Sequence, residues 1–435
     1  MITRRSLRVV APADYGWPTM QTFLNRLAAI ACLAIVVFAV KFTKPWDDLQ
    51  SWRWYTQMVE WTRSDLFRHW EVIQPVAQLA ASSRPRTYQR NTIAPADLTY
   101  EFEGARYSLT HYLERANISG FMVLADGEVR VEYYAKDFGP QSRNHIWSAS
   151  KSFTSSLVGM AIHDGTLASL DEPVQQYAPR FAGTEYGSTS IRHVMMMSSG
   201  IDFFHFKGEP DRNDLYWDIM QAGADFDQWA AALGRRVTAG TDFNYIATDT
   251  HVLAAVLRGA YDKPFVEIVQ EKLWQPGGFG AAHWGMDHHG HAMGHCCLSL
   301  RLQDFANLGQ LYLEDLVIDG RATVNDDWID MVENAQAPFQ EPRIYRDDDG
   351  KEKLLEGYSF QFWLPRDYDQ EFIAKGAFGQ YMWTDRKRGF VVAQFSTGQS
   401  MLTFRGEAPI KEEEFAAVAR AMGQLVKPQA AADYK

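Results

Sequence analysis

Apolar and polar positions change their period several times along this 435-residue chain. Residues 27–40 are apolar without a break. Arg4, Arg5, Arg8 and Arg26 precede them, and Lys41 and Lys44 follow. A membrane-spanning helix uses about 20 residues. Arg26 and Lys41 would lengthen this run by snorkelling. No convincing small-x-small cleavage site follows. The pattern predicts an uncleaved membrane-anchor helix within residues 1–44, with the basic end inside and the bulk of the chain exported. A cleaved signal ranks second, and a buried helix of a cytosolic protein third.

Beyond the apolar run, Trp46, Trp52, Trp54, Trp61 and Trp70 recur at mixed helical spacing. They predict a helical connector over residues 45–94, in which Ser82-Ser-Arg-Pro-Arg reads as a linker. Residues 121–134 are two β-prone runs around Asp126-Gly127, a hairpin signal. A helix follows from Ser152 to about His163, and Asp164-Gly165 stops it. A short helix over residues 191–200 ends at Gly200, and another runs from Thr250 to Leu257. Three strand candidates lie at residues 358–363, 371–376 and 389–396. Residues 410–426 form an amphipathic helix with Phe415, Val418, Met422 and Leu425 on its apolar face. Residues 428–435 are a tail. The simplest build is an α/β (α+β) domain over residues 95–427. One antiparallel sheet is made from both ends of that stretch, the last helix covers it, and a mostly helical part is inserted at about 165–300. A cleft between sheet and insert is where a site would lie.

Composition narrows the class. Apolar residues make up 46% and charged residues 22%, as in an ordinary globular protein. A net charge of −11 with no dense basic patch in the globular part argues against nucleic acid as a partner. Three cysteines, Cys32, Cys296 and Cys297, imply no disulfide framework.

Candidate chemistry centres on Ser148-Ala-Ser-Lys151. On the first turn of a helix, positions i and i+3 share a face, so a hydroxyl and an amine come within reach. A serine needs a neighbouring base to become a nucleophile, and a lysine serves once burial lowers its pKa. The competing reading is a helix N-cap, in which Ser148 caps and Lys151 is solvated. Ser150, Ser152 and Ser155 have no lysine three residues on, so Ser148 carries the hypothesis. Tyr245 follows a Gly turn and precedes a helix. Its phenol either points into the cleft, with a pKa lowered by a lysine ammonium, or packs half-buried on that helix.

Three ordered blocks resemble the serine hydrolases related to class C β-lactamases, penicillin-recognising esterases and nylon-oligomer (6-aminohexanoate-dimer) hydrolases. They are Trp147-Ser-Ala-Ser-Lys-Ser-Phe-Thr-Ser with Asp164-Gly-Thr-Leu; Met197-Ser-Ser-Gly200 with Gly240-Thr-Asp-Phe-Asn-Tyr245; and Lys375-Gly-Ala-Phe-Gly-Gln380. The chain looks most similar to the nylon-oligomer branch, through Gly376-x-x-Gly379-Gln380 and the run after Tyr245. The resemblance implies a β-lactamase/transpeptidase-like fold and a Ser148 acyl-enzyme. Lys151 would share the proton of Ser148. Tyr245 would be the base in acylation and then donate to the leaving group. The backbone N–H groups of Ser148 and Ala377 would form the oxyanion hole, with Gly376 and Gln380 at the substrate.

Two positions depart from the family pattern. Ala247 stands where the family's Tyr-x-Asn has Asn, and Ala374-Lys375-Gly376 replaces its Lys/His-Thr-Gly. Both lower the expectation of β-lactamase activity. The loop over residues 204–217 lacks a match to the nylon-oligomer enzymes. His283, His288, His289, His291, His295, Cys296 and Cys297 are the one metal-like cluster, but their spacing matches no common zinc site. Neither metal nor cofactor is expected. The expected activity is cleavage of a small-molecule amide or ester, in the bacterial inner membrane with the catalytic domain periplasmic or otherwise extracytoplasmic. The alternatives are a cell-wall D-peptidase or carboxypeptidase, and a non-catalytic penicillin-binding-like sensor.

Overall fold

The fold follows from a computed structural model, which describes residues 60–72, 74–203, 225–346, 352–398 and 412–426. The expected anchor, Trp46, Trp52, Trp54, the side chains of Trp61 and Leu425, the 204–217 loop and the tail lie outside the described residues. Among the described residues, no helix is long and apolar enough to cross a membrane.

An eight-stranded sheet forms the backbone of the molecule. In spatial order its strands are Gly357–Ser359, Phe362–Leu364, Glu371–Gly376, Gln380–Asp385, Phe390–Ser396, Ile118–Ala125, Glu128–Tyr134 and Gln89–Arg90. The 121–134 hairpin signal holds, with Asp126 and Gly127 both at positive φ in its turn. The late strand Phe390–Ser396 pairs with Ile118–Ala125, with Val392 opposite Val123. The two ends of the domain therefore share one sheet, as expected. The sheet is not wholly antiparallel, because Gln89–Arg90 joins its edge in parallel.

Every residue of Ile118–Ala125 is buried, because both faces of the sheet are covered. On one face the helix Leu302–Leu313 lies across Ile118–Ala125 and its neighbours, and its Phe305 and Leu308 share a buried core with Met122 and Leu124. Phe121 and Val123 pack with Phe415, Val418 and Met422 of the terminal helix Glu412–Val426. Burying each of those three side chains stabilises the cover by about 1.5–3 kcal/mol. Double burial also explains why the strand Gln380–Asp385 escaped the sequence reading. All its positions are buried, so it shows no alternation.

A second sheet was not expected. Its order is Val76–Leu79, Ala282–Gly285, Leu298–Arg301 and Arg143–His145. The described part of the stretch read as a connector, from Glu60 on, is thus built into the folded unit. Trp70 is buried, Val76–Leu79 pairs with Ala282–Gly285, and the supposed linker is tied down by Ser82 N donating to Phe279 O at 2.8 Å. This small sheet matters for the site. One strand runs directly into Ser148, and another begins directly after Cys297.

Candidate active site

The strand Arg143–His145 ends at Ile146, whose N–H donates to Leu298 O at 2.9 Å. Trp147 then takes φ +51°, a left-handed conformation costly for a bulky side chain. Surrounding aromatics hold it there. Its ring lies 5.5 Å from Phe67, 5.0 Å from Trp70 and 5.2 Å from Phe378. The turn Trp147–Ala149 feeds the helix Ser150–His163 and leaves Ser148 part-exposed between buried neighbours. The other serines of this stretch are buried and engaged. Ser150 donates to Trp147 O, Ser152 to Gln361 O and Ser155 to Phe360 O. Ser148 is therefore the accessible hydroxyl.

Lys151 is buried, and its Nζ lies 3.1 Å from Ser148 Oγ and 2.7 Å from His295 O. The solvated-lysine reading is thereby excluded. Burial alone pushes the amine down to about 7. At neutral pH a large share is neutral, and a neutral amine can donate to the carbonyl while offering its lone pair to Ser148.

Tyr245 reaches the same point from the opposite side. Gly240 N donates to Ser198 O and Asn244 N to Met197 O, both at 2.8 Å. The two pieces of the second sequence block are thus stitched together before the helix Ala247–Tyr261 begins. The Tyr245 phenol lies close enough to Ser148 for that hydroxyl to influence its ionisation, and Lys151 Nζ lies 5.1 Å from the ring centroid. The expected lowering of this phenol does not occur. Burial raises it to about 12, against smaller opposing effects from Ser148 and Lys375.

The third block abuts the Ser148 turn. A Cβ on Gly376 would lie 2.0 Å from Ile146 O, so only glycine allows the approach. Ala377 follows at the start of the turn Ala377–Gly379, in which Phe378 has φ +63°. Gln380, expected at the substrate, is fully buried. It accepts from Asn144 Nδ2 at 2.8 Å and donates to Ser396 O at 2.5 Å. Its amide is consumed in tying the strands together, so the expected substrate contact is corrected to an internal brace.

Lys375 carries a cation beside the far wall of the site. Burial opposes its charge, but Glu356 and Glu412 on the same ammonium raise its pKa overall. Its Nζ also lies 4.9 Å from the Trp363 ring, which is 5.1 Å from Tyr245. Ala374 and Ala247 are both buried in the core. Sequence reasoning missed the wall formed by Tyr358 and Trp363, 5.7 and 5.1 Å from Tyr245. The two meet as cross-strand partners of a tight hairpin, Tyr358 opposite Trp363, and their five-residue spacing gives no period-two signal. Sequence reasoning also missed Phe67 and Trp70, which pack on Trp147 from the supposed connector.

The histidine and cysteine residues at 283–297 do not form one cluster. His283 sits in the small sheet, 3.6 Å from Glu71, whereas His291 faces Asp225, Asp227 and Asp287. Asp225, Asp227 and His291 offer ligand atoms within 4.8 Å of one another. Asp227 is already engaged by Arg258 and His251, at 2.7 Å each, so its charge is answered within the protein. Cys296 and Cys297 are joined to each other as a disulfide, which the count of three cysteines did not foretell.

Comparison with known proteins gives a consistent result. Residues 109–295, which include Ser148, Lys151 and Tyr245, match the Beta-lactamase family. The 6-aminohexanoate-dimer hydrolase of Paenarthrobacter ureafaciens is 27% identical over 312 residues, covering 66% of this chain and 75% of that protein. A protein assigned as a 6-aminohexanoate-dimer hydrolase from Bacillus anthracis superposes with a TM-score of 0.72 at 16% identity. That match covers 85% of this chain and 95% of the other. EstCE1, a hydrolase with promiscuous acyltransferase activity, superposes with a TM-score of 0.54 at 13% identity, covering 66% and 91%. At these identities the two structural matches speak for the fold.

Proposed function

The chain is a serine hydrolase of the β-lactamase-related family, and on that premise we propose that it cleaves an amide or ester through an acyl-enzyme on Ser148. One observation carries the reading. The buried Lys151 amine, near neutrality in pKa, stands 3.1 Å from Ser148 Oγ. Neutral Lys151 takes the Ser148 proton as the oxygen attacks the substrate carbonyl. The N–H groups of Ser148 and Ala377 stabilise the oxyanion, a contribution of about 3–4 kcal/mol per donor. Tyr245 holds its own proton at neutral pH, gives it to the leaving nitrogen or oxygen, and recovers one from the Lys151 ammonium. Water then releases the acyl group by the same route in reverse. The order of the pKa values, about 7 and about 12, supports Lys151 rather than Tyr245 as the first base.

The substrate is a small amide or ester without a required carboxylate. Lys375 is paired with two glutamates, and Ala247 and Ala374 offer no polar group, so at these positions no described residue is free to receive a β-lactam or D-peptide carboxylate. The relative's activity on 6-aminohexanoate dimer makes linear amides the first class to test. The enzyme would act outside the cytoplasm, held by residues 1–44, with a hydrolase domain that takes in residues 60–94 as well as the stretch from 95 on. A fluorophosphonate probe tests the centre. It should label the wild type and not Ser148→Ala. A folded wild type that fails to label would instead favour a non-catalytic binding module.

A further inference from the structure

One strap of chain fixes the machinery around Ser148. Residues 293–298 run along the helix Ser150–His163 and are hydrogen-bonded to it at three successive points. Thr154 Oγ1 donates to Gly294 O at 2.7 Å, Lys151 Nζ to His295 O at 2.7 Å, and Leu298 N to Ser150 Oγ at 3.2 Å. Leu298 O in turn receives Ile146 N, two residues before Ser148. The strap is pressed flat. A Cβ on Gly294 would lie 2.6 Å from Ala254 Cβ, and one on Gly285 would lie 2.6 Å from Cys297 Cβ. Between the carbonyl that orients Lys151 and the amide that reaches Ser150 stand Cys296 and Cys297, joined to each other.

A disulfide between neighbours closes a small ring that contains their shared peptide. It removes most rotation about the backbone bonds on either side. Cys297 has φ +78°, which a side-chain-bearing residue seldom adopts unaided. Opening the ring frees Cys297 to leave that region, and the strap on both sides must follow. The atom with most at stake is His295 O, one peptide away, because the position of Lys151 depends on it.

We propose that the Cys296–Cys297 disulfide is a positioning element for Lys151, holding the His295 carbonyl that aims the amine at Ser148, so that a dithiol reductant lowers turnover reversibly. This inference rests on the role proposed for Lys151. The chemistry is ordinary exchange. One thiolate of the dithiol attacks a cysteine sulfur, the S–S bond breaks, and the second thiol resolves the mixed disulfide. Two electrons and two protons pass to Cys296 and Cys297, and the dithiol leaves as a cyclic disulfide. Both cysteines are buried, so exchange requires the strap to open. An extracytoplasmic location would keep the pair oxidised.

The test uses the full chain, oxidised and after dithiothreitol, with alkylation and peptide mass reporting the state of the pair. Reduction should lower kcat by about 10- to 100-fold, the scale on which a misplacement of about 1 Å acts. The ascending limb of the pH–rate profile should move, the melting temperature should stay near its oxidised value, and oxidised dithiothreitol should restore both kinetic readouts. Cys296→Ser/Cys297→Ser should show the reduced enzyme's rate and limb whatever the redox reagent. Cys297→Gly, which accepts φ +78°, should keep more activity than Cys297→Ser. Free thiols in the fully active enzyme would overturn the proposal. So would a pair that dithiol cannot reduce in the folded protein, or an unchanged kcat and pH limb after proven reduction. Equal fluorophosphonate labelling of oxidised and reduced protein, with none in Ser148→Ala, would remove the positioning role and leave the Ser148 reading standing.

Discussion

Lys151 Nζ is held between Ser148 Oγ at 3.1 Å and His295 O at 2.7 Å, with no carboxylate partner among the described residues to keep it charged. Its pKa lies near 7 because burial disfavours the ammonium. The active form is the free amine, whose share grows as pH rises through about 7. We therefore expect kcat/KM to climb about tenfold per pH unit below that point and to level off above it. Tyr245, at about 12, adds no descending limb in the working range. Lys151→Arg, which stays charged, should cost about 10²–10⁴ in kcat. A rate that falls with rising pH through 7 would rule Lys151 out as the base.

Tyr245→Phe should separate the two halves of the mechanism. The ring keeps its packing on Tyr358 and Trp363, so the melting temperature should hardly move. The proton donor is gone. An amide's amine must be protonated to leave, whereas an activated ester's phenolate need not be. We expect a loss of about 10²-fold or more on amides and a clearly smaller loss on p-nitrophenyl esters. Equal losses on both would show that the phenol does not serve the leaving group.

Gly376→Ala should damage turnover more than binding. The new Cβ would lie 2.0 Å from Ile146 O, so the Ala377 turn must retreat from the Ser148 turn. If both turns supply oxyanion donors, kcat should fall by about 10²–10³ with KM little changed. A variant with wild-type kcat would show that the Ala377 N–H is not used.

What the sequence made legible was local. The i, i+3 spacing of Ser148 and Lys151 survives any tertiary context, and so does the loop-to-helix junction at Tyr245. What it hid was carried by groups that leave no trace in residue type. The His295 carbonyl that orients Lys151 is main chain, and any residue there would supply it. Gln380 looked like a substrate contact because a buried amide and an exposed one read alike until its partners, Asn144 and Ser396, are known. Lys375 looked displaced from a family position. Only the fold brings Glu356 and Glu412 to it from far along the chain. The small sheet was missed because its strands run to three or four residues, too short to show a period.

Residues 27–40 should decide where the enzyme resides. With Arg26 and Lys41 flanking an apolar run, the full chain should sediment with membranes, and a chain starting at Pro45 should not. Cell fractionation with a protease-accessibility test on the outer face reads both points. If the two chains were equally soluble and protected inside the cell, the anchor would be excluded.

Asp249 offers a test of the buried polar scaffold that leaves the chemistry aside. It lies in the first turn of the helix Ala247–Tyr261, fully buried, and accepts the Tyr186 hydroxyl at 2.7 Å. Burial raises its pKa from 3.8 to about 7, against that hydrogen bond and those from the Ser199 side chain and backbone. The folded protein therefore holds this proton more tightly than the unfolded chain does. The resulting stability is fully present below about 3.8, and it is lost as pH rises through about 7. Asp249→Asn keeps an oxygen for Tyr186 and cannot ionise. The stability of the variant relative to wild type should grow across that window, by roughly 1.4 kcal/mol per pH unit at its steepest, and become flat above it. Urea midpoints for both proteins at each pH give the difference directly, and other titrating groups cancel between them. Parallel curves through the window would show that Asp249 ionises in the folded protein as it does in the unfolded chain. Tyr186 and Ser199 would then suffice to hold its carboxylate in the folded protein.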